Sequence, residues 1–349
     1  MSYVKPTFRH PQSPVNELGL TSKEYEGSLS TLCAGCGHDS VSGAIIQSCF
    51  ELAIPPHKVA KISGIGCSSK TPTYFLGKSH GFNSVHGRMP SVATGANLAN
   101  RDMIYIGVSG DGDSASIGLG QFGHVNRRNL NMLYIVENNG CYGLTKGQDS
   151  ATADVGSASK KGEPNPYDPI DLCTLALQMG ATFVGRSFSG DKNQLVPLIK
   201  AAISHRGFAF IDVISPCVTF NNTASSTKGY EFVRDHMAAT GKIDFVPVRQ
   251  EITADYPEGF VQEVTLHDGS VIHLYKSDKI SALDRSEAIS AIQEHKDRGE
   301  VLTGLLYVEP DKPDFHKVQG TVKTPLRNLE ANDLCPGSRP LDAINANNS

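Results

Sequence analysis

The sequence predicts an α/β protein built on a doubly wound, mainly parallel sheet, with a C-terminal extension. Two observations carry this. Apolar runs of strand length alternate with segments whose apolar residues recur at helical spacing, the pattern of a sheet covered on both faces. Glycine-rich turns follow several of those runs, where the ligand loops of such folds lie. The bulk numbers agree: 349 residues, 39% apolar and 19% charged, are those of a globular chain with a full core.

Residues 1–30 read as a loose N-terminal arm. A helix is expected from about Val41, because Val41, Ala44, Ile45, Cys49, Leu52 and Ala53 recur at helical spacing, with Asp39 and Ser40 at its N-cap. A strand over 59–62 ends in Gly64-Ile65-Gly66. Strands over 103–108 and 132–136 flank a helix over 117–128, and a helix over 169–179 precedes a short strand at 182–184. A helix over 191–204 and a strand over 208–214 close the series, so residues 31–230 form the main domain. In 231–349 the pattern weakens. A hairpin turning at Asp268-Gly269 is expected over 261–275, and the proline-rich stretch from Pro310 reads as wrapping over a neighbour or partly mobile.

A net charge of −4 gives no electrostatic reason to expect nucleic acid or an anionic membrane as partner. The first residues lack the apolar core of a secretory signal, and no run approaches the roughly 18 apolar residues of a membrane span. The expected compartment is the cytosol, where disulfides are rare, so the eight cysteines point to ligand or catalytic use. For Cys49, the side chain of Cys141, Cys173 and Cys335 the reading is a buried small hydrophobe.

Gly110-Asp111-Gly112 stands at the end of one expected strand, and Asn138-Asn139 at the end of the next. This arrangement resembles the thiamine-diphosphate fingerprint. Magnesium prefers six oxygens and bridges phosphates with one or two protein carboxylates. Asp111 offers a charged oxygen and Asn139 a neutral one, Gly110 and Gly112 allow close backbone approach, and a helix starting near Ser114 offers free N–H groups. The irregular segment 142–168 follows directly, and a loop of that length is functional or disordered.

Cys33-Ala-Gly-Cys36-Gly-His38 precedes the first helix, Cys67 follows the first strand, and Cys217 follows the last strand of the series. Four thiolates at one sheet edge suit a [4Fe–4S] cluster. Zinc also takes four cysteines, though structural zinc sites favour two close pairs, and a redox pair needs only Cys33 and Cys36. His38 reads as capping a helix or orienting a loop.

Taken with Gly-Ile-Gly-Cys67, His86-Gly-Arg88 and Tyr142-Gly-Leu-Thr-Lys-Gly-Gln148, these motifs resemble the β subunit of 2-oxoacid:ferredoxin oxidoreductases over 33–227. The resemblance implies Cys33, Cys36, Cys67 and Cys217 as cluster ligands. It implies Asp111, Asn139 and the backbone carbonyl of Cys141 as magnesium ligands. Gly66, Cys67, Ser68, His86, Gly110, Asp111, Gly112, Asp113, Asn139, Cys141, Tyr142, Gly143, Leu144 and Thr145 would line the thiamine diphosphate. It further implies coenzyme A as cosubstrate, ferredoxin as electron acceptor, and an α subunit (or α plus γ) in a doubled αβ unit, with α supplying the carboxylate for the aminopyrimidine ring.

Lys146, Lys70 and Arg88 are the candidates for meeting substrate carboxylates. Leu144-Thr145-Lys146 looks more like family members acting on 2-oxoglutarate or a broad range of 2-oxoacids than like pyruvate enzymes. Physiological direction stays open, since decarboxylation and reductive carboxylation share one site. A non-redox thiamine decarboxylase leaves four cysteines unused, and a zinc scaffold leaves the diphosphate motif unused. If Lys146 meets the second carboxylate, Lys146→Ala raises the KM for 2-oxoglutarate much more than that for pyruvate; equal rises contradict charge recognition.

Overall fold

The computed structural model describes residues 12–145, 147–156, 165–217, 252–266, 271–278, 280–335 and 337–348. Its strands are β1 (Val59–Ser63), β2 (His80–Asn83), β3 (Ile104–Gly110), β4 (Met132–Asn138), β5 (Cys141–Tyr142), β6 (Gln148–Asp149), β7 (Phe183–Phe188), β8 (Phe208–Ile214), β9 (Val261–Thr265), β10 (Val271–Lys276) and β11 (Glu300–Val308). Nine of them form one sheet in the order β2-β1-β3-β4-β8-β7-β11-β10-β9, and β5 pairs with β6. The six strands from β2 to β7 run parallel. The loops that leave β1, β2, β3, β4 and β8 therefore share one edge.

Side-chain alternation explains the two-faced core. In β4, Met132, Tyr134 and Val136 point to one face, and Leu133 and Ile135 to the other. The first face is covered by α3 (Met89–Ala99), α4 (Leu119–Arg128), α5 (Leu172–Gln178) and α7 (Arg285–Asp297), which follow α1 (Gly37–Glu51) and α2 (Thr71–Tyr74) and, with α6 (Lys192–Ser204), make up the main helices. α1 and α6 cover the second face through Val41, Ala44, Ile45, Leu195 and Ile199. The sheet is doubly wound and mostly parallel, as its sequence predicts.

Local expectations are corrected in five places. α1 starts at Gly37 with Cys36 at the N-cap, a turn before the apolar pattern begins. Tertiary contact extends it: the Gly37 N–H donates to the Pro216 carbonyl at 3.3 Å, and a Cβ on Gly37 would lie 2.8 Å from the Ser215 hydroxyl. The turn after β3 becomes helical at Gly112 rather than Ser114, as a wide π-type turn over Gly112–Ile117 before α4. Such turns gather at functional sites. α5 starts only at Leu172, where the Asp171 carboxylate accepts the Thr174 N–H at 2.8 Å. The arm is not loose from residue 12 onward, because Tyr25 is fully buried against Phe50 and the Gly27 N–H donates to the Tyr74 carbonyl at 2.8 Å. Cys335 is exposed, unlike Cys49, Cys141 and Cys173.

The expected hairpin is present as antiparallel β9 and β10, with its turn outside the described residues. It joins the main sheet through β11, which pairs parallel with β10 and antiparallel with β7. The C-terminal region thus extends the sheet. Past Pro310 the chain packs back on itself, with buried His316 bonded to Asn97 at 2.5 Å and Thr321 at 2.7 Å. Beyond α8 (Phe315–Gln319), the side chains of α9 (Ala331–Leu334) and α10 (Arg339–Asn347) are exposed.

One buried ion-pair network braces the interior next to the site. Arg186 on β7 donates to Asp171 at 2.6 Å and to Asp212 on β8 at 3.1 Å. Asp212 in turn accepts from the Asn138 amide at 3.1 Å. The first Asn of the pair at the end of β4 is thereby held from beneath.

Candidate active site

A cavity of about 110 Å³ opens at the carboxyl edge of the parallel strands. Its wall contains Gly66, Cys67 and Ser68 after β1, His86 after β2, and Gly110, Asp111, Gly112 and Asp113 after β3. Asn139, Cys141, Tyr142, Gly143, Leu144 and Thr145 follow β4, and His38, Ile65 and Glu137 complete it. All fourteen residues expected to line the cofactor are therefore brought together. Leu144 and Thr145 are exposed at its mouth.

Asp113 locks the loops in place. Its Oδ1 accepts from His86 Nδ1 at 2.5 Å, the Gly87 N–H at 2.8 Å and the Ile65 N–H at 3.3 Å. The turns after β1, β2 and β3 are thus tied through one carboxylate. A Cβ on Gly64 would fall 1.8 Å from Asp113 Oδ2, so only glycine fits there. At Gly112 a Cβ would fall 2.5 Å from the Tyr142 ring, whose hydroxyl donates to the Gly112 carbonyl at 3.1 Å.

Asp111 is buried at 1% exposure. Its carboxylate accepts from the hydroxyls of Ser150 and, at 2.7 Å, Thr152, and from the Asn139 N–H at 3.3 Å. Burial pushes its pKa up, and those hydrogen bonds oppose the shift. Among the described residues no Lys, Arg or His forms an ion pair with it. A buried carboxylate without a counter-charge suits a cation. Asn139 Oδ1 accepts the Cys141 N–H at 3.1 Å, which fixes the turn that carries the Cys141 carbonyl.

The cysteines gather next to this cavity. A point one Cβ bond out from Gly143 lies 3.4 Å from Cys217 Sγ, 3.7 Å from Cys67 Sγ and 3.9 Å from Cys141 Sγ. Burial, then the Glu137 carboxylate and Cys217, push the Cys36 thiol up. Burial, then Cys217 and Cys33, push Cys67 up against the opposing pull of Lys70. Cys217 thus acts on both Cys36 and Cys67, and Cys33 on Cys67. Among the described residues no three His, Cys, Asp or Glu side chains form a ready-made group for a single ion. Raised thiol pKa values at one sheet edge would favour a bound cation, which would hold them as thiolates.

Of the candidate substrate residues, Lys70 sits half-buried in the turn after Cys67, and Arg88 is exposed before α3. Lys146 lies outside the described residues.

Residues 64–213 match the family described as thiamine pyrophosphate enzyme, C-terminal TPP binding domain. A 2-oxoacid:ferredoxin oxidoreductase β subunit from a Sulfolobus species is 43% identical over 191 residues, 54% of this chain and 63% of that one. The 2-oxoglutarate synthase subunit KorB of Methanocaldococcus jannaschii is 41% identical over 192 residues, 54% of this chain and 69% of that one. This chain belongs to the β-subunit family of 2-oxoacid:ferredoxin oxidoreductases. The matching stretch spans less than two thirds of the Sulfolobus relative. A solved 2-oxoglutarate:ferredoxin oxidoreductase from Magnetococcus marinus, with 2-oxoglutarate, coenzyme A and succinyl-CoA bound, is similar over 93% of this chain and 96% of its own, at 29% identity and a TM-score of 0.71.

Several site residues of this family member escape sequence reading. Ser150 and Thr152 lie in the irregular segment after Asn139, where nothing marks a hydroxyl as an Asp111 partner. Glu137 is fully buried and accepts from the Thr71 hydroxyl at 3.0 and 2.9 Å. Burial raises its pKa well above the usual carboxylate range, and burial lowers that of His38, 3.6 Å away, to about 4. Both shifts favour a neutral pair. His38 Nδ1 meets the Ser215 hydroxyl at 2.6 Å and so fixes the loop that carries Cys217. A glutamate ending an otherwise apolar strand, just before Asn138-Asn139, is the signal that marks Glu137.

Gly112→Ala forces Tyr142 aside. Overpacking of this kind costs about 1–3 kcal/mol, so thiamine-diphosphate affinity in the presence of magnesium falls by about tenfold or more. Calorimetric titration checks this, and an unchanged affinity contradicts the cradle.

Proposed function

We propose that this chain is the thiamine-diphosphate and iron–sulfur subunit of a 2-oxoglutarate:ferredoxin oxidoreductase. The enzyme forms succinyl-CoA and CO₂ from 2-oxoglutarate and coenzyme A, passes electrons to ferredoxin, and runs in reverse as a carboxylase when the ferredoxin pool is strongly reducing. One observation carries the reading: the cavity wall at Asp111, Asn139 and Tyr142 continues through Gly143 into the thiols of Cys67 and Cys217. A diphosphate–magnesium site and a thiolate site thus adjoin on one sheet edge.

In this reading Asp111, Asn139 and the Cys141 carbonyl hold magnesium, with Gly110 and Gly112 close to the diphosphate. Cys33, Cys36, Cys67 and Cys217 hold a [4Fe–4S] cluster. Bound there, thiamine diphosphate would supply an electron sink for loss of CO₂ from a 2-oxoacid, and a cluster would supply one-electron acceptance. The chain's own residues orient these groups. Ser150 and Thr152 aim the Asp111 carboxylate, Asp113 and His86 fix the loops on one side, and Tyr142 closes over Gly112. The substrate assignment draws on the KorB relative and on the Magnetococcus enzyme with 2-oxoglutarate and succinyl-CoA bound.

The reading places this chain in a doubled αβ complex. Exposed Arg88, just before α3, would meet a substrate carboxylate or the α subunit. Among the described residues no helix is long and apolar enough to cross a membrane, and we place the complex in the cytosol.

The test is turnover of the αβ complex purified without oxygen. Ferredoxin reduction requires coenzyme A and shows a higher kcat/KM with 2-oxoglutarate than with pyruvate, and this chain alone shows none. A preference for pyruvate overturns the substrate, and turnover by this chain alone overturns the shared site.

A further inference from the structure

The proposed magnesium site uses Asn139 and gives its neighbour Asn138 no part. The Asn138 side chain is nevertheless bonded at both ends. Its Oδ1 accepts the Gly140 N–H at 3.3 Å and the Thr152 hydroxyl at 3.0 Å. Its Nδ2 donates to Asp212 Oδ1 at 3.1 Å. An asparagine that accepts the N–H two residues on closes an Asx turn, and Asn139 closes a second one on the Cys141 N–H at 3.1 Å. The two turns run in tandem through Gly140, which takes a φ of +71°. They carry the Asn139 side chain and the Cys141 carbonyl, and the Asn139 N–H donates from them to Asp111 at 3.3 Å.

Resting on that magnesium site, we infer that Asp212 is a positioning residue for it: by holding the Asn138 amide in one orientation, Asp212 sets the tandem turn and with it the affinity for magnesium. The Gly140 N–H can only donate, so the amide oxygen of Asn138 must face it and the nitrogen must face Asp212. Turning the amide over would set its NH₂ group against the Gly140 N–H, donor against donor, and would open the first turn. Asp212 prevents this by accepting from the nitrogen. It is itself fixed, since it is 2% exposed and its Oδ2 takes Arg186 Nε at 3.1 Å, while Asp171 holds the same guanidinium at 2.6 Å. Where so little water reaches, an unmade hydrogen bond carries its full cost. From Asn138 the contact continues through the Thr152 hydroxyl to Asp111 at 2.7 Å, so both protein side chains of the magnesium site are reached.

Exchange of the two partners separates this role from that of a simple brace. Asp212→Asn keeps the volume, but Arg186 claims the new amide oxygen and leaves an NH₂ group facing that of Asn138. Asn138 must then turn over and release the Gly140 N–H. Adding Asn138→Asp reverses the bond: the amide at 212 donates, and the carboxylate at 138 accepts on both of its sides. Charge acting through space makes a different prediction. Asp171→Asn takes a negative charge from the other side of Arg186 without touching Asn138, and asparagine keeps the cap on the Thr174 N–H.

The experiment uses the αβ complex purified without oxygen and freed of magnesium with EDTA. Magnesium is titrated calorimetrically at saturating thiamine diphosphate, and the thermal midpoint is measured beside it. Asp212→Asn is expected to weaken magnesium binding by about tenfold, the net worth of one good hydrogen bond. Adding Asn138→Asp is expected to return the affinity toward wild type, and Asp171→Asn alone to leave it there. If Asp212→Asn does not assemble, Asn138→Ala replaces it, because it removes the anchored amide without adding charge, and the same fall is expected. Unchanged magnesium affinity in the assembled variant overturns the inference even where the thermal midpoint drops, since that pair of results is what a purely structural brace gives. An equal fall in Asp171→Asn overturns it by assigning the effect to charge, and a double exchange that recovers nothing overturns it as well. If wild-type complex binds thiamine diphosphate with no dependence on magnesium, the magnesium reading itself fails and takes the inference with it.

Discussion

The site depends first on one buried carboxylate. Asp113, just beyond β3, takes N–H groups from the loops that leave β1 and β2, and its presence dictates glycine at position 64. Parallel strands deliver their carboxyl ends to one edge, but nothing in a sheet fixes the loops beyond it. Asp113 does so for the three loops that carry Cys67, His86 and Asp111. With these in register, Tyr142 can lie over Gly112 and the cavity takes its shape. On the other flank, His38 and Ser215 tie the first turn of α1 to the loop after β8, bringing Cys36 and Cys217 to the same place.

The electrostatics of this edge are those of a container for cations. Asp111, Asp113 and Glu137 are all buried, and burial raises each carboxyl above its ordinary range. The thiols of Cys36, Cys67 and Cys141 are raised as well. His38, the buried base among them, is held neutral. Elsewhere the fold does pair its buried acids: Arg186 serves Asp171 and Asp212 together, and Lys276 serves Asp191 at 2.8 Å. Compensation is withheld where the ligands gather. Among the described residues Asp111 and Glu137 meet no lysine or arginine, while Asp113 meets His86 and Lys70 lies near Cys67, an acid-rich balance that would suit the proposed magnesium and iron.

Much of this was legible in the sequence. β3, β4 and β8 are mainly apolar runs, because both faces of a central parallel strand are covered, and each is followed by a chemically marked turn. The residues expected to line the cofactor are legible for a related reason: they fall in motifs at the ends of adjacent parallel strands. Other features were hidden. β11 and α7 lie in a region where the apolar pattern weakens, so neither the strand's place in the main sheet nor the helix that covers it was evident. The true start of α1 depends on Ser215 and Pro216, about 180 residues away in sequence. Ser150 and Thr152 are single hydroxyl residues whose meaning lies entirely in what they touch. Cys335 shows the opposite error, since a cysteine's habit of burial says nothing about a given helix end at the surface.

The central claim is that one sheet edge holds both cofactors, and composition tests it most directly. Iron, sulfide, zinc and thiamine diphosphate should be measured in the αβ complex purified without oxygen, beside a Cys217→Ser control. The account predicts about four irons and four sulfides per chain that depend on Cys217, as a [4Fe–4S] site requires, together with one thiamine diphosphate. Zinc in place of iron, or thiamine diphosphate with iron that Cys217→Ser leaves untouched, would contradict it.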